Sequence, residues 1–253
     1  MQNILEVRDL GRSYVNFRLE HISFSIAGGT IMGLVGENGA GKSTTIRGIL
    51  GLIRRECGEV LFCGKPLNTD SVAMKEQIGV VFDSLCFSPE LTVEKAGKIC
   101  RSIYSNWDEA YFQELLQQFS LLPKQKIKEL SRGMSMKLSL VLAFAHHPKL
   151  LILDEPANFV DNKFEKELYR TLHELNARMA IVMVSHDIGT ITSVVKEIVC
   201  VNRRVHRHRS NVLTEEQLRN YDCPIQLVSH GHIPHTVLEH HPGDGCCDHD
   251  SVR

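Results

Sequence analysis

The segment GENGAGKS, from Gly36 to Ser43, constrains the fold of this chain more than any other, because it lies between an apolar run and an amphipathic run. It matches the phosphate-binding loop pattern G-x4-G-K-[ST]. Glycines let the loop's backbone N–H groups face an anion, and the helix that follows adds a partial positive charge. Lys42 can reach the β- and γ-phosphates of a nucleotide, and Ser43 can ligate Mg²⁺. A chance glycine-rich turn is a weak alternative between a predicted strand and a predicted helix.

The flanking segments predict an α/β fold. Residues 2–35 read as strands, with an alternation of apolar and polar residues that is typical of antiparallel strands. TIMGLV, LLILDEP and AIVMVSH are continuous apolar strands, and a helix is predicted from Lys163 to Leu175. Helical periodicity also runs through residues 92–148. The order of strand, helix, strand and helix predicts a parallel central sheet with a helical insertion.

A pair of acidic residues follows the apolar strand LLIL. Asp154 stands at the carboxyl end of that strand, where it can hold the Mg²⁺ sphere. Glu155 can orient and deprotonate a water for in-line attack on a phosphate. Taken alone, the pair could equally be solvated, but the phosphate-binding loop upstream favours a catalytic role.

Composition excludes several other classes of protein. The chain has 253 residues, 29 Lys plus Arg and 30 Asp plus Glu, so no bulk charge attracts nucleic acid or a membrane surface. Its longest apolar runs have six residues, whereas a membrane-spanning helix needs roughly 20. The start of the sequence lacks the pattern of a signal peptide. We therefore expect a cytosolic protein that does not bind nucleic acid.

The segment Leu130–Met134 (LSRGM), just before a predicted helix, narrows the family. It resembles the signature sequence LSGGQ of ATP-binding cassette (ABC) ATPases, with Ser131 and Gly133 kept and the residues at 132 and 134 changed. In physical terms, Ser131 has the pattern of an N-cap that would aim a helix N-terminus at a phosphate. An ordinary capped helix is the alternative for this segment taken alone.

Further residues follow the order of the same family. Asp161 matches the D-loop position, and His186 ends a strand where the family has its switch histidine. A neutral His186 could hydrogen-bond a γ-phosphate oxygen. Tyr14 matches the aromatic residue that stacks on adenine, with a core tyrosine as its alternative. Asp83 departs from the family, which has Gln there. Its carboxylate can still contact Mg²⁺ or water but adds negative charge, so we expect either slower hydrolysis or a role of Asp83 in coupling only.

The resemblance covers residues 3 to about 210 and implies a P-loop NTPase of the ABC ATPase fold, with an antiparallel β subdomain and a helical subdomain insertion. It implies ATP and Mg²⁺ as cofactors. The expected catalytic residues are Glu155, His186 and Lys42, and the expected Mg²⁺ ligands are Ser43 and Asp154. The expected nucleotide-binding residues are Tyr14, Gly36, Glu37, Asn38, Gly39, Ala40, Gly41, Lys42, Ser43, Thr44, Asp83, Ser131, Gly133 and Asp161.

The resemblance also implies partners and a location. Ser131 and Gly133 would reach the nucleotide of a second copy, so two sites would form in a head-to-tail homodimer. That dimer would drive integral membrane permease subunits from the cytoplasmic face of the cell membrane. We expect an ATPase domain over residues 1–203, with its helical subdomain at about 84–148, and a C-terminal extension over residues 204–253.

Two subfamily likenesses divide the chain. Residues 1–150 resemble ATPases of small antibiotic and multidrug exporters, whereas residues 154–253 are similar to ATPases of zinc and manganese uptake systems. A natural mosaic or an engineered fusion near LLILDEP would explain both.

The end of the chain is rich in metal-ligand residues. Eight of the 13 histidines and four of the eight cysteines lie in the last 54 residues, which contain no lysine. Imidazole and thiolate suit Zn²⁺, and the candidate ligands are His206, His208, Cys223 and His232. The spacing matches no standard structural zinc site. A regulatory metal site, weak adventitious binding and a solvated tail with no ligand role all stay open.

The function predicted from these residues is that of an ABC transporter ATPase subunit. The tail favours zinc or manganese transport as its task, and an antibiotic or multidrug exporter is the alternative. A soluble ABC protein of DNA repair or translation would need a long coiled coil or two cassettes, which 253 residues do not accommodate. A metal sensor without catalysis is disfavoured by the intact Lys42, Asp154 and Glu155.

Overall fold

The structure is a computed structural model that describes residues 2–68, 70–156, 162–186, 191–208, 225–230 and 233–238. The chain divides into two compact units, residues 1–211 and residues 212–253. Within the described ranges, no helix is both long enough and apolar enough to span a membrane.

Strands and helices alternate along the larger unit. The strands are β1 (Asn3–Tyr14), β2 (Phe17–Ala27), β3 (Ile31–Val35), β4 (Cys57–Phe62), β5 (Lys65–Pro66), β6 (Ile78–Val81), β7 (Leu150–Asp154), β8 (Ala180–Ser185), β9 (Glu197–Asn202) and β10 (Arg204–His208). The helices are α1 (Lys42–Ile49), α2 (Val72–Lys75), α3 (Val93–Ile103), α4 (Glu109–Gln118), α5 (Arg132–Phe144) and α6 (Asn162–Leu175).

A six-stranded sheet in the order β10-β9-β3-β8-β7-β6 forms the centre of this unit. The five strands β9, β3, β8, β7 and β6 pair in parallel, and β10 is antiparallel to β9. All five residues of β3 are buried, as expected for a continuous apolar strand that is covered on both faces. The predicted parallel core is confirmed, and the carboxyl ends of β3, β7 and β8 meet at one edge of the sheet.

A second, antiparallel sheet has the order β2-β1-β4-β5. In β2, residues that face the core alternate with half-buried or exposed residues, because successive side chains of a strand point to opposite faces. Leu10 and Phe24 of this sheet belong to the same buried cluster as Ile46 of α1 and Val182 of β8. The two sheets therefore share one core with the first helix.

The predicted helical insertion consists of α3, α4 and α5. Each of these helices has a side-chain N-cap, since Thr92, Asp108 and Ser131 accept hydrogen bonds from the backbone N–H three residues later. Helix α5 contacts both other helices and strand β6. The insertion is thereby joined to the edge of the central sheet.

The smaller unit contains a hairpin of β11 (Ile225–His230) and β12 (Ile233–Leu238), paired antiparallel from Ile225↔Leu238 to His230↔Ile233. We expected the C-terminal extension to begin at residue 204. Strand β10 instead pairs with β9 along its whole length, so residues 204–208 belong to the larger unit. The alternating pattern of VHRHR could not reveal this, because a strand at the edge of the central sheet and a strand of a separate extension would both alternate.

Helix α3 depends on the absence of a side chain at Gly97. A Cβ there would lie 2.5 Å from Cζ of Phe112, which is buried. Overpacking of this kind costs about 1–3 kcal/mol, whereas the gain in helix propensity is ~1 kcal/mol. We expect Gly97→Ala to lower the free energy of unfolding by about 1–2 kcal/mol in urea titrations. In the control Gly133→Ala, whose Cβ would meet nothing within 4 Å, stability should stay the same or rise; equal stability of the two variants would contradict the packing argument.

Candidate nucleotide-binding site

The phosphate-binding loop connects β3 to α1 and is held close to its neighbours. A Cβ at Gly36 would lie 2.3 Å from the carbonyl oxygen of Val201, and the Arg203 N–H donates to the Ala40 carbonyl at 3.0 Å. Gly41 has a left-handed φ of 110°, and a Cβ there would lie 2.7 Å from Leu19 Cδ1. The end of β9 and the antiparallel sheet therefore fix the path of the loop.

The remaining residues of the loop differ in exposure. Glu37, Asn38 and Gly39 are exposed, whereas Ala40 is buried and Thr44 is half-buried. Helix α1 has no side-chain cap at its N-terminus. Its first backbone N–H groups are therefore not satisfied by a capping side chain, which is the arrangement that binds phosphate.

Lys42 is only 6% exposed, which is unusual for a lysine. Its Nζ donates to the carbonyl oxygens of Gly36 at 2.7 Å and Glu37 at 3.0 Å, and lies 3.9 Å from Oε1 of Glu155. Burial lowers the pKa of Lys42, and the negative charges of Glu155 and Asp154 oppose that shift. The loop thus holds a partly desolvated ammonium group toward the acidic residues.

Asp154 ends β7 beside the start of α1. The Ser43 hydroxyl donates to Asp154 Oδ2 at 3.5 Å. Burial raises the pKa of Asp154, and the neighbouring charges of Glu155 and Asp83 raise it further, against the opposing effect of Lys42. Three carboxylates therefore concentrate negative charge at this edge of the sheet.

Glu155 and His186 are joined by a hydrogen bond that the sequence did not predict. His186 Nδ1 lies 2.9 Å from Glu155 Oε2, and the Glu155 side chain is 17% exposed. The backbone of Glu155 is left-handed, with φ 53°, and its N–H donates to the Val184 carbonyl at 3.0 Å. Left-handed non-glycine residues cost about 1–3 kcal/mol and cluster at functional sites. Parallel pairing of β7 with β8 predicts that the two strand ends are close, but not this contact.

Tyr14 lies at the surface, 46% exposed, at the end of β1. It is not the core tyrosine that was the alternative interpretation. The Arg12 guanidinium lies 5.2 Å from the centroid of its ring, and Phe17 lies 6.4 Å away on a tilted plane. Arg12 was not among the residues expected from the sequence.

Ser131 and Gly133 begin helix α5. The Ser131 Oγ accepts a hydrogen bond from the Met134 N–H at 3.2 Å, which confirms the predicted N-cap. A Cβ at Gly133 would meet nothing within 4 Å in this chain. Asp161, the expected D-loop residue, lies outside the described residues.

The expected zinc ligands are only partly visible in the structure. His206 pairs with Cys200 across strands β10 and β9. Burial lowers the pKa of both His206 and His208, and the charge of His206 lowers that of His208 further. Among the described residues, no cluster of three potential metal ligands occurs. Cys223 and His232 lie outside the described residues.

A family model described as ABC transporter matches residues 19–158, more than half of the chain. The chain belongs to the ABC transporter family. The bacitracin transport ATP-binding protein BcrA of Bacillus licheniformis is 30% identical over 203 residues, which cover 78% of this chain and 66% of that protein. The manganese transport system ATP-binding protein MntB of Listeria monocytogenes is 29% identical over 240 residues, which cover 89% of this chain and 99% of that protein.

A solved structure of an ATP-binding subunit of an ABC transporter matches with a TM-score of 0.76 and 28% identity, and covers 87% of this chain and 93% of that one. The resemblance to ABC ATPases is thereby confirmed, as is the predicted fold. The chain is an ATP-binding and ATP-hydrolysing subunit of a family that works with membrane permease components.

Asp83 follows β6 and is exposed. Its contribution to the raised pKa of Asp154 shows that its charge reaches the site. We expect Asp83→Gln to preserve or raise the ATPase rate, because it removes one negative charge near an anionic substrate. Steady-state ATPase assays on the folded variant would measure this. A loss well beyond tenfold would show that the Asp83 carboxylate is itself required.

Proposed function

We propose that this chain hydrolyses ATP to drive transport through separate membrane permeases, with Glu155 as the general base. The observation that supports this role is the position of Glu155 between a buried cation and a histidine. Oε1 lies 3.9 Å from Lys42 Nζ, and Oε2 lies 2.9 Å from His186 Nδ1. A carboxylate with one oxygen held by a hydrogen bond and the other close to a cation is pre-oriented to take a proton from an attacking water.

ATP would be held at both of its ends. Tyr14 would stack on adenine with the face that Arg12 does not cover. The loop from Gly36 to Ser43 would surround the phosphates with backbone N–H groups. The partners of the buried Lys42 ammonium are two carbonyl oxygens and a carboxylate 3.9 Å away, which offset its charge only in part. A phosphate oxygen would supply the remaining negative charge.

Ser43 and Asp154 would hold Mg²⁺. A hydroxyl and a carboxylate are the hard oxygen donors that this ion prefers, and the two side chains already contact each other. Burial first, and then the neighbouring charges of Glu155 and Asp83, raise the pKa of Asp154, and a bound cation would favour its ionised form. When bound, Mg²⁺ supplies positive charge to the β- and γ-phosphates.

Hydrolysis would move one proton onto Glu155. The water oxygen bonds to the γ-phosphorus, the bond to the oxygen that bridges the β- and γ-phosphates breaks, and ADP leaves. His186 Nδ1 donates to the Glu155 carboxylate, so a neutral imidazole carries no proton on Nε2. We had expected neutral His186 to donate to the γ-phosphate. In this arrangement it orients Glu155, and it can donate from Nε2 at the same time only when protonated.

A second copy of the chain would complete the site. Ser131 is exposed, and its hydroxyl proton is not used by the N-cap, in which the oxygen accepts. Gly133 has no neighbour in this chain that requires a glycine. Both features suit a surface that would contact the γ-phosphate of a nucleotide bound to the other copy. We infer a head-to-tail homodimer.

An apolar cavity of about 200 Å³ is the proposed contact for a permease. Its lining includes Phe82, Leu85 and Phe87 after β6, and Ile103 at the end of α3. Ile103 is 58% exposed although apolar. Docking of a cytoplasmic permease segment here would place the chain peripherally at the cytoplasmic face of the membrane.

The cargo that we propose is a metal ion, zinc or manganese. The two histidines of β10, His206 and His208, support this, as does the likeness of residues 154–253 to metal-uptake ATPases. An antibiotic or multidrug exporter is the second candidate, because the helical subdomain that would meet the permease belongs to the half of the chain with the exporter likeness. The two relatives named above carry bacitracin and manganese in their names and so do not separate the candidates.

The assignment of the general base has a direct test. Glu155→Gln keeps the volume of the side chain and removes the proton acceptor, so ATP binding should persist while hydrolysis falls by at least ~100-fold. Trapped ATP should then stabilise the dimer, visible by size-exclusion chromatography with Mg-ATP. Glu114→Gln, an exposed change on α4, is the matched control. Turnover near that of the control would refute the role of Glu155.

The metal proposal predicts saturable zinc binding. Calorimetry on the full chain should show a defined stoichiometry near neutral pH. Burial lowers the pKa of both histidines, so binding should weaken only when the pH falls below the ordinary imidazole value of about 6.5. The double change His206→Gln/His208→Gln should abolish it, while His173→Gln should not. Many weak sites without a plateau, or binding that survives the double change, would remove the physical support for a metal cargo.

A further inference from the structure

Helices α5 and α6, the end of α4 and the segment that follows α4 line an open cavity of about 630 Å³ outside the nucleotide site. This volume is within the range of about 300–1,000 Å³ that is typical of small-molecule sites. Gln118 and Ser120 contribute an amide and a hydroxyl, which can donate hydrogen bonds to a ligand.

The lining carries an excess of positive charge. Among the described lining residues, three are cations, Lys137 of α5 and Lys166 and Arg170 of α6, and one is a carboxylate, Glu167. In the described ranges, none of these three cations forms an ion pair within 4.0 Å. Lys166 and Arg170 are four residues apart on one helix face, a spacing at which like charges repel. The cavity therefore holds a net charge of +2 that the described residues do not neutralise.

Packing fixes one of the cations over the cavity floor. Lys137 Nζ lies 4.9 Å from the centroid of the Phe164 ring. Phe164 is 3% exposed and packs edge-on against Phe119, with ring centroids 6.3 Å apart. An ammonium group held against an anchored ring stays at the cavity and is less free to extend into solvent.

We propose that this cavity binds a small phosphorylated molecule. A phosphate group carries a charge of about −1.5 to −2 at pH 7, which matches the excess charge of the lining. Arg170 offers the planar fork of donors that recognises phosphate, and the two lysines add point charges. A bound phosphate would link α6 to α5, the helix that begins just after Ser131.

The test is calorimetric titration of the nucleotide-free full chain with inorganic pyrophosphate. We expect two saturable sites per chain. Lys42→Ala should remove the site at the phosphate-binding loop. Lys166→Gln/Arg170→Gln should weaken the other at least tenfold while the ATPase rate stays within twofold, because neither residue lies in the catalytic site. Glu167→Gln, which removes the one carboxylate among the described lining residues, should tighten that second site several-fold.

The matched control removes the same charge elsewhere. Lys126→Gln/Lys128→Gln deletes two cations that pair with Glu90 and should leave both sites intact. Equal loss in this control would mean diffuse charge attraction and would overturn the proposal, as would a second site that survives Lys166→Gln/Arg170→Gln. Titration with citrate separates the ligand classes, since tighter binding of citrate than of pyrophosphate at the second site would overturn the phosphate assignment. A Glu167→Gln variant without tighter binding would also contradict it.

Discussion

The buried ammonium group of Lys42 is the interaction on which the nucleotide site depends. An ion with 6% exposure is tolerable only because the loop carbonyls of Gly36 and Glu37 and the nearby Glu155 carboxylate solvate it. Those partners exist because the loop curls tightly enough to aim carbonyls inward, which in turn requires glycine where the chain passes Val201 and Leu19. The electrostatics of the site therefore depend on the path of the loop backbone, and that path depends on the strands that it passes.

The same edge of the sheet collects carboxylates as well as the cation. Asp154 ends β7 and Glu155 follows it, and Asp83 lies just after the adjacent β6. Parallel pairing forces this convergence, since the carboxyl ends of all these strands point the same way. Burial raises the pKa of Asp154 and the charges of Glu155 and Asp83 raise it further, so ionised carboxylates here are a cost to folding that a polyanionic nucleotide alone would increase. The arrangement is coherent only if positive charge offsets it, from Lys42 in the protein and from a cation that enters with the substrate.

Local patterns in the sequence carry much of this design. The apolar runs of β3, β7 and β8 and the Ser131 cap were predictable because they follow from burial and from neighbouring residues alone. Three features were not. The hydrogen bond of His186 to Glu155 depends on the left-handed backbone of a non-glycine residue, the membership of β10 in the central sheet depends on a partner strand, and the approach of Gly97 to Phe112 depends on how two helices pack. Each is set by tertiary contacts that leave no periodic signal.

The nucleotide site is separate from the surface proposed to contact the permease, which explains why the cargo is harder to infer than the reaction. Binding and cleaving ATP requires charges placed within a few ångströms of each other, so motif residues at fixed strand ends identify the reaction. Choice of a permease would depend instead on the proposed docking surface around Phe87 and Ile103, which is apolar, so that many side chains of similar volume would serve. Relatives of about 30% identity that are named for bacitracin and for manganese transport fit this division. The site is restricted by phosphate chemistry, whereas the docking surface is restricted only by its partner.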